Sequence, residues 1–170
     1  MASEETEITP QNYFLQPGYI YVSQTPVLVS TVVGSCIAVL IYDRKHRAGG
    51  INHFRYPFTR DRREATAVFG NVATVALINM LIENGAQVKH LEAQIIGGAF
   101  NPDVSTQDVG RENIRVARRV LARKAVRVVS EDVGGRQGRK VVFNTHTNEV
   151  AILKVDRLRQ GDWAPYEDNR

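Results

Sequence analysis

The chain has 170 residues, 43% hydrophobic and 24% charged, with a net charge of +4 and a pI near 9.4. That is length for one domain with a real core, and the composition is that of an ordinary globular protein. No run approaches the ~20 apolar residues of a membrane helix, and a lone cysteine, Cys36, excludes an internal disulfide.

Taken in order, residues 1–12 read as a flexible N-terminal tail, 13–156 as a single domain, and 157–170 as a polar C-terminal tail with a contact through Trp163. The acidic stretch Met1–Glu7 lacks the apolar core of a signal peptide, so a cytoplasmic location is expected. Tyr13-Phe14-Leu15 is a small apolar knot ending in the Pro17-Gly18 turn. Strands are expected at 19–22, 26–33, 36–42 and 47–56. Both faces of the strand beginning at Cys36 are apolar, which predicts burial on both sides. Residues 57–64 form a basic surface loop.

The apolar spacing over 66–84 predicts a helix, stopped by Asn84-Gly85. A strand at 91–96 leads into Gly97-Gly98. A second helix spans 108–124, capped by Asp108 and carrying Asn113 on its buried stripe, where the amide is expected to pin a loop. Three strands, at 127–130, 140–144 and 150–155, close the chain.

The chemistry concentrates between residues 30 and 53. A reversal centred between Arg44 and Lys45 pairs 43 with 46 and 42 with 47, and so sets Cys36 directly across from His53. Cross-strand partners lie roughly 4.5–5.5 Å apart at Cβ, close enough for an imidazole to take a thiol proton. The thiolate is the nucleophile, and an imidazole both activates it and protonates a departing amine. A hydroxyl that orients the imidazole can come from Ser30 or Thr31. Gly34 and Ser35 offer backbone N–H groups to a developing oxyanion.

Other functions find less support. His46, His90 and His146 share no ligand spacing with each other or with Cys36, so no metal is expected. The basic residues from Arg111 to Lys124 form one helix face without interleaved aromatics, so no nucleic acid is expected. Gly97-Gly98 lacks the pattern of a dinucleotide site.

Several unlinked motifs resemble one family, in its order. They are Tyr13-Phe14-Leu15 with Pro17-Gly18, Val33-Gly34-Ser35-Cys36-Ile37-Ala38-Val39, Gly49-Gly50-Ile51-Asn52-His53, Val109-Gly110-Arg111-Glu112-Asn113 and Asp132-Val133-Gly134-Gly135. The chain thus resembles the CheD chemoreceptor glutamine deamidases of bacterial chemotaxis. The resemblance implies an α+β fold: a layered sandwich of mixed β-sheets flanked by two main helices, like the cysteine hydrolase fold of cytotoxic necrotizing factors. It implies Cys36 as nucleophile and His53 as base, with Ser30, six positions before the cysteine, as third member and Thr31 as the alternate. Asn52, Gly97, Gly98 and Asn113 are the further residues expected to line the site. No cofactor is implied. The implied partners are cytoplasmic helices of methyl-accepting receptors and a CheC-type phosphatase, without membrane insertion. An adaptor that docks these partners, and a cysteine hydrolase acting on another amide or ester, are the alternatives.

Overall fold

Strand β4 (Ile37–Asp43) forms the middle of the molecule because both of its faces are apolar, and every one of its residues is buried. A computed structural model describes residues 9–159 and Asp162; the first eight residues of the tail expected at 1–12, and the contact expected of Trp163, lie outside the described residues. Before β4 come β1 (Gln11–Phe14), β2 (Ile20–Ser23) and β3 (Val27–Val33), and after it β5 (Ala48–Phe54) and α1 (Gly70–Glu83). Then follow β6 (Leu91–Gly97), α2 (Val109–Arg123), β7 (Arg127–Val133), β8 (Gly138–Asn144) and β9 (Val150–Val155).

The strands form two mixed sheets, one in the order β1-β3-β8-β9 and the other β2-β5-β4-β6-β7. Alternation along β4 sends its two sets of side chains to two cores. Ile37, Val39 and Ile41 pack with Ala73, Leu77 and Leu81 of α1 and Ala117 and Leu121 of α2. Cys36, Ala38 and Leu40 pack instead with Val29, Val33, Val141 and Phe143 of the other sheet. Both helices therefore lie on one face of the five-stranded sheet, giving helix, sheet and sheet layers. Each fully buried Leu, Ile or Phe contributes roughly 1.5–3 kcal/mol relative to exposure, so the two-sided burial of β4 makes it the anchor of both layers.

Local chemistry sets the helix ends as expected. The Asp108 carboxylate accepts the Arg111 N–H at 2.9 Å at the start of α2, and Gly85, at φ 100°, follows the last turn of α1. The buried face of α1 carries Thr74 and Ile78 beside Ala73, Leu77 and Leu81.

Parts of both expected tails pack against the body. Gln11 and Asn12 join Tyr13 and Phe14 in an edge strand parallel to β3. Leu158 lies over Gly34 and Gly138, and Asp162 pairs with Lys140 at 2.7 Å.

Candidate active site

Three neighbouring stretches of chain build the site. Along β3, Val27, Val29, Thr31 and Val33 point between the sheets, while Leu28 and Ser30 are only half-buried on the outer face. Gly34-Ser35-Cys36 then carries the chain from one sheet to the other, delivering Cys36 at the mouth of the inter-sheet core. Strand β5 returns with Ile51 and His53 on that same face.

The hairpin register differs from the sequence reading. His53 pairs with Ala38, not Cys36, and Ile37 pairs with Phe54. The reversal is centred one residue later than expected, because Asp43 organises a four-residue loop. Its Oδ1 accepts the N–H groups of Lys45 and His46, its carbonyl accepts that of Arg47, and Arg47 adopts φ 53°. Moving the centre by one residue moves the pairing by two, which preserves the face. Cys36 and His53 are thus diagonal neighbours on one side of the sheet, a spacing of about 7–8 Å that an imidazole still spans. No hydrogen bond joins them among the described residues.

Thr31 touches the imidazole, and Ser30 does not. Thr31 Oγ1 lies 2.7 Å from His53 Nδ1. The same hydroxyl donates its proton to the Leu15 carbonyl at 2.8 Å. A threonine has one O–H proton and a carbonyl only accepts. Nδ1 must therefore be the donor to Thr31, which leaves the neutral ring with a lone pair on Nε2. That atom is buried and has no partner. Gly18 N–H to His53 O at 2.7 Å, and His53 N–H to Tyr19 O at 3.2 Å, lace the Leu15–Tyr19 segment over the ring.

A cleft of about 520 Å³ opens beside Cys36, lined by Pro17, Gly34, Ser35, Cys36, Arg55 and Tyr56 with Val109 of α2. Cys36 is 8% exposed and His53 fully buried. Burial pushes the Cys36 thiol up to about 11, although the Arg55 charge pulls the other way. Burial, assisted by Arg55, lowers His53 to about 3. At neutral pH the resting pair is a neutral thiol beside a neutral imidazole. The N–H groups of Gly34 and Ser35 have no acceptor among the described residues.

The remaining expected residues take other places. Asn113 Nδ2 donates to Ser35 O at 2.9 Å and to Arg55 O at 3.0 Å, clamping the two strands where they part around Cys36. Gly98 N–H binds Cys36 O at 2.9 Å. A side chain on Gly97 would place Cβ 2.3 Å from that same oxygen, so these glycines let β6 approach the Cys36 backbone and do not line the cleft. Asn52 faces the helices: its Oδ1 accepts Val39 N–H at 3.0 Å. Arg55 was not singled out from the sequence. It is readable only as the next residue on the His53 face, and only once the hairpin register is known.

No group of residues able to hold a metal occurs among the described residues, and no described helix is long and apolar enough to cross a membrane.

Comparison with known proteins identifies the family. Residues 56–154 match the family model described as CheD chemotactic sensory transduction. A Trichlorobacter lovleyi protein named probable chemoreceptor glutamine deamidase CheD is 36% identical over 160 residues, covering 93% of this chain and 99% of its own. One from Anaeromyxobacter dehalogenans, named probable chemoreceptor glutamine deamidase CheD 1, is 38% identical over 144 residues, 84% of each chain. One from Methanococcus vannielii with the same name as the first is 34% identical over 145 residues, covering 84% of this chain and 94% of its own. With a family model matched over more than half its length and such relatives across most of it, the chain belongs to the CheD family.

Proposed function

We propose that this protein is a chemoreceptor glutamine deamidase in which Cys36, His53 and Thr31 act as nucleophile, base and orienting group. The observation that carries the reading is the unpartnered, buried Nε2 of His53, whose lone pair is fixed by the Thr31 hydroxyl and the Leu15 carbonyl. The names of the relatives support the substrate class.

The proton of the Cys36 thiol passes to His53 Nε2 as sulfur attacks the glutamine side-chain carbonyl carbon. The carbon–oxygen double bond opens to an oxyanion, facing the N–H groups of Gly34 and Ser35. Collapse breaks the carbon–nitrogen bond. Nε2–H protonates the departing amide nitrogen, which leaves as ammonia, and a thioester remains on Cys36. Water then attacks that carbonyl, losing its proton to Nε2. The second collapse expels the sulfur, which recovers its proton and leaves a glutamate. The step needs no cofactor. Because the resting pair is uncharged, proton transfer accompanies substrate attack rather than preceding it.

The location implied is the cytoplasm, where receptor signalling helices lie, and a CheC-type phosphatase is the proposed second partner. Mass spectrometry of receptor cytoplasmic fragments tests the reading. Wild type should convert selected glutamines to glutamate, and Cys36→Ala and His53→Gln should not. Conversion that persists in Cys36→Ala would sink it.

One observation favours a second reading. The thiol is raised and nearly closed off, without a hydrogen bond to His53, as suits a docking protein whose chemistry is secondary. Receptor binding that survives Cys36→Ala, with no mass change in either protein, would select it.

A further inference from the structure

We propose that Arg55 makes the Cys36 cleft a receptor for a carboxylate, so that the preferred target glutamine has an acidic side chain beside it on the substrate surface. The substrate half of this rests on the deamidase reading above; the anion-receiving half does not.

The register gives Arg55 its place. The ladder ends where Ile37 pairs with Phe54, and Arg55 follows at once, lining the same cleft as Cys36. Its backbone is held at both ends: its N–H donates to Val68 O at 2.9 Å and its carbonyl accepts from Asn113. The exposed side chain therefore rises from a fixed stem at the edge of the cleft. Among the described residues it is the one charged residue lining that cleft.

Arg55, unlike the arginines that are paired, keeps its guanidinium free at the cleft. Arg118 pairs with Glu131, Arg127 with Glu92, Arg136 with Asp103 and Arg139 with Asp132. Among the described residues the Arg55 guanidinium has no carboxylate and no hydrogen-bond acceptor. A planar fork of five donors matches a carboxylate with two parallel bonds. Arg55 is itself exposed, so an incoming carboxylate reaches it without entering a closed cavity. The charge reaches the reacting groups as well, favouring the thiolate of Cys36 and the neutral form of His53.

Two small alkylating agents test this without any deamidation. Iodoacetate and iodoacetamide differ by one carboxylate, and both label Cys36, the only thiol in the chain. Their rate ratio on the intact protein cancels any common effect on thiol reactivity. Arg55→Gln should lower the iodoacetate preference about tenfold, as one charge pair a few ångströms apart in a partly wet cleft requires. Arg55→Glu should lower it further, and Arg55→Lys should keep most of it. A ratio unchanged in both Arg55→Gln and Arg55→Glu, with circular dichroism showing folded protein, overturns the proposal.

Peptide pairs with glutamate or alanine beside one glutamine then test the substrate. Wild type should favour the glutamate peptide, and Arg55→Gln should lose that preference. An equal preference in wild type and Arg55→Gln also overturns the proposal. If the alkylation ratio falls but neither these peptides nor receptor fragments are deamidated by wild type, the anion site stands and the deamidase reading fails.

Discussion

Thr31 Oγ1 sits 2.7 Å from His53 Nδ1 while giving its own proton to Leu15 O. One hydroxyl thereby decides which nitrogen of the imidazole is free. Thr31→Val removes the acceptor and releases the ring to the other tautomer. Its kcat for deamidation should fall about 10²-fold or more, the scale of a general base. Thr31→Ser should retain most activity and Ser30→Ala should resemble wild type. Nitrogen chemical shifts of His53 should report a deprotonated Nε2 in wild type and a mixture in Thr31→Val. Equal losses in Thr31→Val and Ser30→Ala would refute this assignment.

Stability should carry an acid limb from His53. Its folded pKa is lowered from 6.5 to about 3. Between those values the unfolded chain binds a proton that the folded chain refuses. Stability present above pH 6.5 is therefore lost as pH falls toward 3, with a slope of up to about 1.4 kcal/mol per pH unit. Denaturant titrations across this range should show a shallower limb in His53→Gln.

The thiol predicts a second limb of opposite sign. The folded Cys36 pKa is raised from 9.0 to about 11, so the unfolded chain loses its proton first. Stability is intact below pH 9 and declines as pH rises to 11, again by up to about 1.4 kcal/mol per unit. Cys36→Ser, which does not titrate there, should flatten that decline in the same titrations.

Asn113 holds two carbonyls with one amide. Asn113→Ala removes the part-buried bonds to Ser35 O and Arg55 O, each worth about 0.5–1.5 kcal/mol. Asn113→Asp should be worse, since a carboxylate would face both oxygens. Thermal melts should rank wild type above Asn113→Ala above Asn113→Asp, with melting temperature falling about 2–4 °C per kcal/mol.

Gly97 is constrained by a neighbour as well as by its own backbone. At φ 117°, its added Cβ would meet Cys36 O at 2.3 Å. Gly97→Ala should cost at least about 2 kcal/mol. Gly134→Ala, at φ 76° but facing open space, should cost only about 1 kcal/mol. Similar denaturation midpoints for the two variants would contradict the close-approach account.

Composition, periodicity and capping chemistry determined much of this protein. Asp108 and Gly85 end their helices by contacts within a few residues, which any reader of the chain can trace. The apolar run from Cys36 to Tyr42 announced burial on both sides, and hairpin parity put Cys36 and His53 on one face even though the pairing is offset by two. The strand at Gln11–Phe14 went unread, because four residues pairing with an edge carry little pattern of their own. Tertiary structure decided the rest. Ser30 and Thr31 are equivalent hydroxyls in sequence. They differ only because the second sheet packs against one side of β3, and that choice depends on residues over a hundred positions away. Asn113 reaching Ser35 and Arg55, and Arg55 standing free in the cleft, follow from how α2 and β5 meet. Local rules reach three or four residues along a chain, whereas the side that faces an active site is set by whichever distant surface buries the other.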